Sequence, residues 1–160
     1  MSPVDDKQLM RMIECHQEVL SEGYVVQTVQ DGQHGLAYTI GRFAQGLPEL
    51  IVSSPDLAFA RKFIDYVCQH WSDDSVEASL PRGYCKLIEL KVTDELIEDY
   101  MTDTYHYFAF ISQFPVHSLH PVKRSLRVLQ LVYGDRAGRF PSDEGYDQRN
   151  SPQVAFAMKV

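Results

Sequence analysis

Residues 24–53 read YVVQTVQDGQHGLAYTIGRFAQGLPELIVS, and this stretch decides the fold. Tyr24 to Val29 is rich in β-branched and aromatic side chains. The polar, glycine-bearing run Gln30 to Gly35 turns the chain, and Leu36 to Ile40 returns. A second turn, from Gly41 to Pro48, leads into another apolar run, Glu49 to Ser53. Strands joined by such short connections run in opposite directions, so the stretch predicts an antiparallel meander.

Helices flank this meander. In Val4 to Glu22, the residues Leu9, Met12, Ile13, His16 and Leu20 recur at three- and four-residue steps, which predicts one buried face. Gly23 follows where a helix end favours a residue that tolerates positive φ. Beyond the meander, Ser54-Pro55-Asp56 predicts a helix start, with Ser54 as N-cap and Pro55 in the first helical position. That helix runs to about Trp71, and its wide apolar face (Leu57, Ala60, Ile64, Val67, Cys68 and Trp71, flanked by Phe59, Phe63 and Tyr66) is expected to lie against a sheet.

Ser72 to Gly83 reads as a polar loop. Leu87 to Val92 alternates, with Ile88, Leu90 and Val92 on one side. A short helix starts at Thr93 or Asp94 and ends near Met101, Tyr105 to Ile111 fits helix and strand equally, and Ser112 to Lys123 is irregular. Leu126 to Tyr133 is a nearly continuous apolar run, the pattern of a central strand buried on both faces. The whole predicts an α+β protein, with a largely antiparallel sheet of about five strands packed with two main helices. Ile64, Val67, Ile88, Leu90, Val128 and Leu131 are the expected core. The 160 residues fit a single domain in which 134–160 form a turn-rich tail.

Hydrophobic residues make up 44% and charged residues 23%, which is enough apolar material for a packed core. The formal net charge of −7, from 22 acidic and 15 basic residues, argues against a nucleic-acid partner, which calls for a dense basic face. It suits ordinary solubility or a basic protein partner. No apolar stretch approaches the roughly 18 residues of a membrane span. Residues 1–10 carry Asp5 and Asp6 and no apolar run, unlike a secretory leader. Cys15, Cys68 and Cys85 are odd in number and far apart, which suits free thiols in a reducing compartment. The expectation is a soluble cytoplasmic protein with no membrane and no cofactor.

No nucleotide-binding or nucleophile-elbow motif occurs. His117 and His120 are spaced like a metal-ligand pair, but Pro115 and Pro121 spoil a helix there, and no third ligand is identifiable, so no metal is expected. Three features carry polar groups on otherwise apolar elements. In the first, Tyr38-Thr39-Ile40-Gly41 precedes Leu47-Pro48-Glu49-Leu50, and a carboxylate at the mouth of a strand can serve as acid, base or ligand hook, or as a solvated strand end. In the second, Gln130 interrupts the apolar run and must satisfy its amide or cost about 1–3 kcal/mol. In the third, Asp135 to Gly138 suits a type I turn with Asp135 as its cap, which leaves Arg139 to reach a carboxylate or an anion. Tyr38, Thr39, Glu49, Gln130, Asp135 and Arg139 are therefore candidates for a ligand site or a structural clasp, and no catalytic residue is assigned. The two segments are expected to meet, with Thr39 reaching Gln130 and Glu49 approaching Arg139.

The same three features resemble a bacterial family, domain of unknown function 4262. Its pattern has a Tyr-Thr-hydrophobic-Gly strand end, then His-Pro-Glu-Leu. Near the C-terminus it has Leu-Gln and two hydrophobic residues, then Pro-Asp, then Gly-Arg-Phe-Pro-Trp. The matching residues are Tyr38 to Gly41, Pro48 to Leu50, Leu129 to Val132, Asp135, and Gly138 to Pro141, within a likeness spanning about Gly23 to Tyr146. Leu47 stands where the family usually has His, Gly134 replaces a Pro, and Ser142 replaces a Trp. Any chemistry of the family His would be lost here. The resemblance implies fold and site more than activity. At the level of pattern alone, the strand, Pro-Glu-Leu and helix are also similar to suppressor-of-fused-like proteins, a resemblance that implies toxin immunity. Two functions follow as expectations: an acidic protein-interaction module of immunity or regulatory type, or a small-molecule enzyme or ligand-binding domain with a polar pocket.

Overall fold

The computed structural model describes residues 6–31, 34–70, 85–113, 126–149 and 152–153. The elements in chain order are α1 (Asp6–Glu22), β1 (Val25–Asp31), β2 (His34–Ile40), a 3-10 turn (Arg42–Gln45), β3 (Glu49–Ser53), α2 (Leu57–Gln69), β4 (Cys85–Leu90), a π-helical turn (Leu96–Tyr100), α3 (Thr102–Gln113) and β5 (Val128–Tyr133). The strands form one five-stranded sheet in the order β1-β2-β3-β5-β4. β2 runs antiparallel to β3 with Tyr38 opposite Ile51, and β4 runs antiparallel to β5 with Ile88 opposite Gln130. Only two residues separate β1 from β2 in the chain, too few for a parallel crossover, so that pair is antiparallel and β3–β5 is the sheet's one parallel pair. A parallel neighbour needs a long crossover, and here α2, β4 and α3 all lie between β3 and β5 in the chain. The architecture is α+β, with three helices and a mostly antiparallel sheet.

The chain divides into two compact units. One comprises Met1–Gln27, Thr39–Glu49 and Val92–Arg127, and the other Thr28–Tyr38, Leu50–Lys91 and Val128–Val160. In the first, α1 turns Met12, Cys15 and Val19 inward. The face predicted from Leu9, Met12, Ile13, His16 and Leu20 is corrected accordingly. Only Met12 of that set is buried, while Leu9, Ile13 and Leu20 are exposed. Hydrophobic spacing alone admitted two overlapping stripes, and polar contacts on the inner side select one of them. Arg11 donates to Gln27 (2.6 Å) and approaches Asp103 (3.9 Å), while His16 meets Tyr107 of α3. Tyr105 to Ile111, which fits both helix and strand by pattern, is helical within α3 and buries Tyr107 and Ile111. Thr93 caps the helical turn before it, accepting from the Leu96 amide at 3.1 Å.

In the second unit, Ala60, Ile64 and Val67 form the buried stripe of α2. Its N-cap is Asp56, not Ser54: Asp56 accepts from the Phe59 amide at 3.0 Å, and Leu57 opens the helix two residues beyond Pro55. Ser54 instead accepts from the Asp56 amide at 3.2 Å, which sets the approach to the cap. Every residue of β5 from Val128 to Val132 is buried, as expected of a strand with neighbours on both sides. Ile88 is only half-buried, a correction to the expected core, because β4 is an edge strand and its alternation is weak. Ile64, Val67, Leu90, Val128 and Leu131 are buried. The Ser72–Gly83 loop, Trp71, His117 and His120 lie outside the described residues.

Candidate functional site

In the first unit the polar centre is Glu49. Pro48 fixes the backbone before it, and β3 begins at Glu49 itself. Its amide donates to the Arg127 carbonyl at 2.8 Å, which locks the strand start, and its side chain has no exposed surface. Gly41 (φ +96°) then turns the chain after β2, and any Cβ there would collide with Val19 of α1. That close turn brings the 3-10 segment over the carboxylate. Phe43 N–H donates to Oε1 at 2.8 Å, and Thr39 Oγ1 donates to Oε2 at 2.5 Å. Thr104 of α3 donates to the Thr39 carbonyl at 2.8 Å, so the threonine is held from both ends.

Burial pushes the Glu49 carboxyl up to about 7, against the opposing pull of Thr39, the Phe43 amide and the Arg42 charge and amide. Arg42 is itself buried. Burial also raises the Tyr107 phenol, with further upward pushes from Cys15 and Glu49. The Tyr107 hydroxyl lies 2.9 Å from His16 Nδ1. The Cys15 thiol is pushed up to about 11, chiefly by burial, which makes it an inert core thiol rather than a nucleophile.

In the second unit the polar centre is Asp135. The apolar run of β5 ends at Tyr133, and the predicted turn follows: Gly138 N–H donates to the Asp135 carbonyl at 2.9 Å, with Gly138 at φ +78°. Asp135 Oδ1 accepts from the amides of Ala137 (2.9 Å) and Arg139 (2.8 Å), and Oδ2 accepts from the Asp147 amide (3.0 Å) and Arg139 Nε (3.2 Å). Desolvation acts to raise this carboxyl, but the three amides and the guanidinium outweigh it and hold it below the usual carboxylate range. Gln153 stands in for a strand partner at the end of β5. It accepts from the Tyr133 amide at 3.1 Å and donates to the Tyr133 carbonyl at 2.8 Å and to the Tyr146 hydroxyl at 2.5 Å.

Of the six candidates, the hydrogen bonds pair Thr39 with Glu49 and Arg139 with Asp135, each within its own unit. Tyr38 and Gln130 are fully buried strand residues with hydrogen-bonded or ring-contact neighbours of their own. Sequence reasoning missed Arg42, Phe43, Thr104 and Tyr107. A charged residue in the otherwise apolar Gly41-Arg42-Phe43 was a usable signal for Arg42, whereas nothing local marks Thr104 or Tyr107. Among the described residues no group of three or more His, Cys, Asp or Glu could hold a metal ion, and no helix is long and apolar enough to cross a membrane.

These features define an α+β protein whose two strand-end carboxylates are tied into its own turns. Residues 18–147 match the family model described as Domain of unknown function (DUF4262), and the chain belongs to that family. No curated protein and no solved structure matches it.

Proposed function

We propose that the chain is an acidic protein-interaction module of immunity or regulatory type. The observation that carries this reading is the internal use of the polar set. Glu49 is engaged by Thr39 and Phe43, and Asp135 by its own loop and Arg139. Carboxylates committed to holding turns are clasps, whereas a ligand site presents such groups to an open space. The net charge of −7 supports a basic protein as the partner, and the likeness to suppressor-of-fused-like proteins supports the immunity assignment by analogy. Native mass spectrometry of the protein isolated from its host tests the reading. One dominant, basic protein partner whose binding weakens with salt is the expected result. A chain that carries only a small molecule, or no salt-sensitive partner, contradicts it.

One observation favours the enzyme or ligand-binding reading instead. A carboxyl at about 7 is poised for general acid–base work near neutral pH, and the Tyr107–His16 pair lies in the same unit. That reading requires Glu49→Gln to abolish binding of a small molecule while the melting temperature stays close to that of the wild type.

A further inference from the structure

Glu49 is walled in by parts of unequal firmness. Thr39 lies in β2 and is held through its carbonyl by Thr104, and Tyr107 lies within α3 and is fully buried. The remaining wall is the 3-10 turn, Arg42–Gln45, a single turn outside the sheet. Three backbone bonds close it on itself: Ala44 N–H donates to Gly41 at 3.1 Å, Gly46 N–H to Phe43 at 3.0 Å and Leu47 N–H to Arg42 at 3.2 Å. Its tie to the strand is the 2.8 Å bond from the Phe43 amide to Glu49 Oε1.

The turn has the means to move. Left-handed glycines stand at both ends, Gly41 at φ +96° and Gly46 at φ +77°. The Gly41 end is fixed, because it lies hard against Val19 of α1, whereas a Cβ at Gly46 would meet nothing within 4 Å. Gln45 and Gly46 are exposed, so the outer edge already borders water. Arg42 and Phe43 are buried on the inner edge, the Phe43 ring 5.8 Å from Tyr107 and 5.0 Å from Phe108, and this packing favours the closed form.

The two protonation states of Glu49 make different demands on that turn. A neutral acid is satisfied as it stands: one oxygen accepts from Phe43, and the other can donate its proton to Thr39 Oγ1 at 2.5 Å. A carboxylate loses its hydration there, and burial keeps the proton on up to about 7 in spite of the Arg42 charge. Arg42 from the turn and Tyr107 from α3 are the charged and titratable groups facing Glu49, and Tyr107 in turn meets Cys15 and His16 of α1. Cys15 and Tyr107 are both pushed up by burial and keep their protons at neutral pH.

We infer that the Arg42–Gln45 turn is a pH-operated gate: ionisation of Glu49 swings it outward about Gly41 and Gly46, which parts Phe43 from the carboxylate and admits water. The open form is a minor one, and water stabilises its carboxylate as in the unfolded chain. Its population therefore rises with pH from 4.5 to about 7 and then levels off. The inference goes beyond the interaction reading and holds whichever partner the chain takes.

Amide hydrogen exchange of the full chain, followed by NMR from pH 4.5 to 8, tests it. The protection factor of the Phe43 amide, corrected for the intrinsic pH dependence of exchange, is expected to fall on the order of 100-fold across this range. Low urea is expected to leave that exchange unchanged, because the turn opens without unfolding, while exchange at Val67 inside α2 accelerates. Glu49→Gln keeps the shape and both contacts of the neutral acid, and is expected to hold Phe43 at its acid-side protection at every pH. Gly46→Ala penalises the left-handed closed turn, and is expected to lower Phe43 protection about fivefold to thirtyfold at every pH with the slope kept. Phe43 protection that does not change with pH overturns the inference, since the turn then stays shut whatever the state of Glu49. So does a slope that survives in Glu49→Gln, which would belong to another group such as His16. A urea dependence at Phe43 equal to that at Val67 marks whole-molecule unfolding and overturns it too. Wild-type protection in Gly46→Ala refutes the hinge and with it the gate.

Discussion

Glu49 and Asp135 are alike in placement and opposite in electrostatics. Glu49 opens an apolar strand and Asp135 follows the end of one, each beside a glycine turn, and both are buried. Yet the carboxyl of Glu49 is raised to about 7, and that of Asp135 is lowered. The difference lies in what replaces water. Asp135 accepts three backbone amides and a guanidinium from a loop wrapped around it. Glu49 has a hydroxyl, the turn amides and the Arg42 charge, but it is sealed completely, and desolvation dominates. A carboxylate's state is set by the balance between how completely it is sealed from water and the donors that face it. The loop carboxylate therefore stays an anion that organises its turn, and the sealed one stores a proton near neutral pH.

That contrast can be broken by mutation. The largest effect is expected for Glu49→Ala, which leaves a cavity and strands the Thr39 and Phe43 donors. Urea unfolding at about pH 5 should show a loss of about 2–5 kcal/mol, as for other core truncations. Thr39→Val keeps the shape and deletes one hydrogen bond to the carboxyl; a loss of about 1.5–3 kcal/mol is expected above neutral pH, where Glu49 is ionised. Arg139→Ala should have the smallest effect. Nearly half of that side chain is exposed (46%), so water and salt screen its pair with Asp135, and the three amides remain. A midpoint shift for Arg139→Ala as large as that for Glu49→Ala would reverse the ranking and with it the distinction between a sealed and a loop carboxylate.

The parts of this arrangement legible in the sequence are those fixed by local chemistry. Asp135 and Gly138 announce a turn because one supplies the acceptor and the other the positive φ, and the turn is present as expected. The unbroken run into Tyr133 announces a central strand, and its burial agrees. The less legible parts depend on contacts distant in the chain. The buried face of α1 was decided by Gln27, Asp103 and Tyr107, none of which its own periodicity contains. The helical state of Tyr105 to Ile111 was likewise undecided by an aromatic-rich run that suits either element. Asp56 outcompeted Ser54 as a cap by a shift of two residues, because either side chain can accept an amide and only the helix start chooses between them. At the site, Glu49 was visible beside Pro48, but its partner Thr39 is ten residues away across a turn, and the support from Thr104 comes from farther still.

The measurement that most directly tests the account is the pH dependence of stability in the wild type and in Glu49→Gln. The Glu49 carboxyl rises from 4.5 in the unfolded chain to about 7 in the folded one, so between these values the folded state binds the extra proton. The stability that Glu49 contributes is then greatest below pH 4.5, falls as the pH rises toward 7, and levels off above it, with a total change on the order of 3 kcal/mol. Asp135 acts with the opposite sign and in a lower window, because its lowered value makes its contribution disappear only as the pH falls below 3.8. Urea midpoints for the wild type are therefore expected to decline from pH 4.5 to 7, and Glu49→Gln is expected to flatten that decline. A wild-type profile that is flat or rising over this interval, or a slope that persists in Glu49→Gln, would contradict the assignment of Glu49 as the sealed, structural carboxylate of this fold.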